Sequence, residues 1–72
     1  PESLKKQLID GLTAKYKGEI GEAQANVVVY MNNPVGIGEH PDIIAAIDTQ
    51  ITRIAEAEDK LQVLDKLFDQ DL

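Results

Sequence analysis

At 72 residues, with no cysteine and one histidine, the chain is expected to form one domain without disulfides or thiolate metal sites, and structural zinc is a poor fit. A net charge of −6 argues against nucleic acid as a partner, because phosphate affinity comes from lysine and arginine. A domain this small buries little apolar surface, so self-association is the expected source of further stability.

Ser3 can cap a first helix, and helical periodicity then runs to about Asn32, roughly 45 Å at 1.5 Å per residue. Leu8, Leu12, Tyr16, Ile20, Ala23, Val27 and Tyr30 fall on one side and are the expected core face. On the other side Gly11, Ala14, Gly18, Gly21, Ala25 and Val28 follow at steps of three and four. Each glycine costs about 1 kcal/mol against alanine inside a helix, so this seam of small residues calls for a compensating close approach by another helix. The alternative is a break of the helix between Gly18 and Gly21. Val27 to Tyr30 also reads locally as a strand, but a lone strand has no partner here and is rejected.

Asn33-Pro34 stops the first helix, and Gly36 and Gly38 permit a reversal over about residues 33 to 40. The second helix is expected from His40-Pro41-Asp42 to about residue 70, with Pro41 first and Asp42 in the opening turn. Its stripe is Ile47, Ile51, Ile54, Ala57, Leu61, Leu64 and Phe68, while Glu56 pairs with Lys60 on an outer face. Ile43, Ile44, Ala55 and Val63 fall partly outside the stripe, so the start of this helix is expected to touch a neighbouring molecule. A second register, Ile44, Ile47, Ile51, Ile54, Glu58, Leu61, Asp65 and Phe68, would carry two carboxylates inward.

Charge agrees with a hairpin. Residues 1 to 17 hold four lysines against Glu2 and Asp10, a net +2, whereas the rest hold Arg53, Lys60 and Lys66 against eleven acids, a net −8. Folding back antiparallel brings the basic start beside Asp65, Asp69 and Asp71. The expected fold is therefore all-α: over residues 1–72, two long helices in an antiparallel helical hairpin, packed into an oligomeric helical bundle.

Chemical readings are weak. Gly36-Ile37-Gly38 lacks the third glycine, the lysine and the preceding strand of a phosphate loop. Glu39, His40 and Asp42 could bind a metal or move a proton, but a histidine beside a proline at a helix start is more often a loop or capping residue. Ser3, Thr13, Thr49 and Thr52 are not in sequence contact with His40, and a di-metal bundle site using Glu58 and Asp65 lacks its glutamate-x-x-histidine pattern. No enzymatic activity, cofactor or metal is expected.

Tyr30-Met31-Asn32-Asn33-Pro34-Val35-Gly36-Ile37-Gly38-Glu39-His40-Pro41-Asp42, followed by Ile54-Ala55-Glu56-Ala57-Glu58-Asp59-Lys60-Leu61, resembles a family of small helical proteins of marine myovirus-type phages and ocean metagenomes. The resemblance implies a viral or virus-derived setting and a structural or accessory role, with no activity or binding residue to carry over. The expected function is a non-enzymatic structural or protein-interaction module acting as a homo-oligomer, its interface at Gly11, Ala14, Gly18, Gly21, Ala25 and Val28. The alternative is a small adaptor or inhibitor that binds a host or viral protein through one helix face. The longest apolar run, Val27 to Met31, is far short of a membrane span, and the first residues lack the layout of a signal peptide. The expected location is cytoplasmic, in the host cell if viral.

Overall fold

Both helix starts carry the capping chemistry that their sequences offer. A computed structural model describes residues 3–32 and 42–68, which form α1 (Leu4–Asn32) and α2 (Ile43–Phe68). Ser3 Oγ accepts the Lys6 N–H at 3.1 Å, and Asp42 Oδ1 accepts the Ala45 N–H at 2.9 Å. Asp42 is thus the cap of α2 and precedes its first turn, a correction to the start expected at Pro41, which with the rest of the reversal lies outside the described residues. At the other end of α1, Asn32 Nδ2 donates to the Val28 carbonyl one turn back at 2.8 Å. Asp42→Ala is expected to lower stability by about 1 kcal/mol in urea denaturation, since alanine offers the Ala45 N–H no acceptor.

α1 runs unbroken through Gly18 and Gly21 and through Val27 to Tyr30, so neither the helix break nor a strand occurs there. The helices pack side by side and antiparallel: Lys5 Nζ lies 5.5 Å from the Phe68 ring centroid, Lys60 Nζ lies 5.5 Å from that of Tyr16, and Asn26 bonds Gln50. Lys60, matched in sequence with Glu56, reaches across to the other helix instead. The molecule is a rod of 53 × 21 × 14 Å.

Two rows meet along the seam. On α1 the row is Ile9, Thr13, Tyr16, Ile20, Ala23, Val27 and Tyr30, flanked by half-buried Glu19 and Asn26; on α2 it is Ile43, Ile47, Gln50, Ile54, Ala57, Leu61, Leu64 and Phe68, flanked by half-buried Ala46 and Arg53. Both rows alternate steps of four and three, the average of 3.5 residues that keeps one stripe facing a neighbour. Leu8, Leu12 and Ile51, expected inside, are exposed. Repeated steps of four turn the helix by about 40° each, which carries Leu8 about 120° away from Ile20 while Ile9 stays nearly in line with it.

On α2 the choice lies between two columns beside the shared Ile47, Ile54, Leu61 and Phe68. One holds Ile43, Gln50, Ala57 and Leu64; the other holds Ile44, Ile51, Glu58 and Asp65. A straight helix can turn only one of them inward. Burying two carboxylates costs far more than burying one hydrogen-bonded amide, so the first column goes in and Ile44 and Ile51 are forced out. The resulting core is thin: Ala23 is 0% exposed, Ala57 4% and Gln50 8%, and no large described side chain is fully buried.

Candidate interaction surface

The two long edges of the seam differ in chemistry. Along one edge a polar clasp ties the helices together. Asn26 Nδ2 donates to Gln50 Oε1 at 3.1 Å, and the same oxygen accepts from Arg53 Nη1 at 3.0 Å. Arg53 Nη2 reaches Glu22 Oε1 at 2.7 Å and Glu19 Oε2 at 3.3 Å, while Lys15 lies 3.7 Å from Glu19. The hydrogen bond to Glu22, and then that to Glu19, raises the pKa of the Arg53 guanidinium above its ordinary value, with desolvation opposing. These cross-helix pairs carry acid on α1 and base on α2, the reverse of the polarity read from net charge. Asp69 and Asp71 lie outside the described residues.

The clasp was not legible as a site because Gln50 reads as an outer residue beside Ile51. Its only sequence signal is that Gln50 stands in the alternating four-and-three row. Geometry of this kind selects register, since a helix slid by one turn would leave the Gln50 amide inside without Asn26, and Arg53 without Glu19 and Glu22. Arg53→Met is expected to leave the fold helical while making its stability less sensitive to salt, checked by urea denaturation at low and at high ionic strength.

Along the opposite edge, Ile9, Thr13, Lys17, Leu61, Gln62, Leu64 and Asp65 line an open groove of about 310 Å³. Lys17 and Asp65 mark this edge on each helix, and residues seven apart repeat the same aspect in a 3.5-residue row. Gln24 and Met31 therefore continue the edge on α1, and Glu58, Ile51 and Ile44 continue it on α2. Toward the end where α1 finishes and α2 begins, this edge becomes apolar: Val28, Met31, Ile44 and Ile51 are all exposed, Ile44 at 79%.

The seam of small residues is exposed at every position, and α2 does not cover it. A Cβ added at Gly11, Gly18 or Gly21 would meet nothing within 4 Å. The six residues also divide. Ala14, Gly21 and Val28 flank the edge that carries Met31 and Ile44, whereas Gly11, Gly18 and Ala25 lie on the far back of α1.

Other candidates disperse. Ser3 and Asp42 are caps, Thr49 Oγ1 donates to the Ala45 carbonyl at 3.1 Å, Thr13 lines the groove, and Thr52, Glu58 and Asp65 are exposed. Gly36, Gly38, Glu39 and His40 lie outside the described residues. Among the described residues no group of three or more histidines and carboxylates is placed to hold a metal ion, and no helix is long and apolar enough to cross a membrane.

No protein-family model, curated protein or solved structure matches the chain. The surface itself is what there is to read.

Proposed function

We propose that this chain is a non-enzymatic structural or protein-interaction module that acts as a homo-oligomer, with Ala14, Gly21 and Val28, of the six residues in the exposed seam of α1, at or near the contact between copies. The observation that carries the reading is an imbalance of apolar surface. Leu4, Leu8, Leu12, Val28, Val29, Met31, Ile44, Ile51, Val63 and Leu67 are exposed, while the buried apolar residues are Ala23 and Ala57. Surface of that kind marks association sites in stable soluble proteins. The resemblance carried by Tyr30–Asp42 and Ile54–Leu61 supports a viral or virus-derived role, in the host cytoplasm. Sedimentation velocity or light scattering at micromolar concentration tests the reading. An oligomer is expected, and a well-folded monomer would overturn it.

A second reading is an adaptor or inhibitor that lays one helix face into a groove on another protein. Leu4, Leu8 and Leu12, exposed at successive steps of four on α1, have the spacing of such anchors. This reading requires a monomeric free protein, so the same sedimentation experiment separates the two.

A further inference from the structure

Self-association, on which the present inference rests, leaves open which faces meet. A compact monomer of 7.9 kDa exposes about 4,400 Å², whereas this chain exposes 5521 Å², an excess of roughly 1,100 Å². Its radius of gyration is 16.3 Å, against about 11 Å for a compact chain of this length. A stable interface covers about 800 Å² on each partner, so one long face of the rod is enough to absorb the excess.

We infer that the occupant of the Lys17–Asp65 edge is a second copy of the same edge, related by a two-fold axis running along the rod, so that α1 of each hairpin lies over α2 of the other. Within one hairpin α1 and α2 are antiparallel, and this operation keeps that sense between copies, giving a four-helix bundle. The chemistry matches at three levels, and at the far end, where Asp10 comes near Asp65 of the second copy, Asp10 carries its own Lys6 at 2.7 Å. At one end Val28 and Met31 cover Ile44 and Ile51 of the second copy, and the symmetry repeats the cluster. In the middle Gly21 meets Ala55, two small residues that let the backbones approach. Further along, Lys17 lies over Glu58, opposite charges on a chain of net −6. The Glu19–Glu22–Arg53 clasp sits on the other edge and stays in water.

The other edge is a weaker candidate because Lys15, Glu19, Glu22 and Arg53 interrupt its apolar residues, and covering it would take out of water an ion cluster already paired within one hairpin. An end-to-end reversed stack on the Lys17–Asp65 edge would bring Ile44 over Gln62 and Asp48 toward Glu58, two like charges. The parallel two-fold avoids both mismatches.

The test uses the whole chain, whose lack of cysteine makes introduced thiols unique. Ile44→Asp, a change at an exposed position, is expected to weaken self-association by about tenfold or more while circular dichroism stays helical. Mixing Met31→Cys with Ile44→Cys chains is expected to give a disulfide-linked heterodimer, whereas Gly18→Cys, on the back of α1, links to neither. A wild-type chain that sediments as a monomer overturns both this arrangement and the proposed function. A wild-type oligomer that survives Ile44→Asp, or that links Ile44→Cys to Gln62→Cys in preference to Met31→Cys, overturns the arrangement alone.

Discussion

Ala23→Leu is expected to destabilise the hairpin by about 1 to 3 kcal/mol, the usual range for forcing extra methylene groups into a packed position. Ala23 has no exposed surface at all, in a core where even the large side chains keep some contact with solvent. Alanine there sets how closely the two helices approach, and a leucine must either push α2 away or leave its preferred rotamer. Separation would propagate along the seam, because Gln50 and Arg53 must reach Asn26, Glu19 and Glu22 across the same gap. The control is Ala25→Leu, on the exposed back of α1, where the added side chain meets no core. Urea denaturation of both variants at matched chain concentration makes the comparison. Equal stabilities would mean that the seam is not packed at Ala23.

The second large effect has the opposite sign. Gly11→Ala and Gly18→Ala together are expected to raise stability by about 2 kcal/mol, roughly 1 kcal/mol for each glycine replaced inside a helix. Alanine restricts the unfolded chain more than glycine does, and its methyl group at either position meets nothing within 4 Å. Both sites lie on the far back of α1, away from the proposed pairing edge, so the gain is expected to survive association. Gly21 serves as the contrast. It sits at the level where the copies are proposed to approach most closely, and Gly21→Leu is expected to reduce self-association even though the lone hairpin has room for the side chain. Thermal melts followed by sedimentation of the three variants separate helix propensity from contact between copies. A double alanine variant less stable than the parent would show that Gly11 and Gly18 are closely covered.

The difference between expectation and structure is concentrated in a few residues. Tyr16, Ile20, Ala23, Val27 and Tyr30 were legible as the inner face of α1 because they already alternate steps of four and three. Leu8 and Leu12 misled because leucine at four-residue spacing is locally a good helical stripe, and only over several turns does its rotation away from the seam accumulate. Ile51 misled for a different reason: it is more apolar than Gln50, and nothing within one turn reveals that choosing it would draw Glu58 and Asp65 inward two turns later. The proposed pairing edge was half visible. Ile44 stood out as misplaced for a single hairpin, but its grouping with Met31 and Val28 on a common edge required the partner helix to be in place.

Helix identity, the Ser3 cap and the all-α character follow from the sequence alone, because each depends on atoms within about one turn of chain, whereas Asp42 as the cap of α2 emerged with the structure. Which stripe turns inward, the burial of Gln50 and the Arg53 clasp were decided only when two helices met. A long contact between two rods demands one consistent 3.5-residue row on each, and the amide that the row takes out of water needs a partner from across the seam, as Asn26 supplies to Gln50.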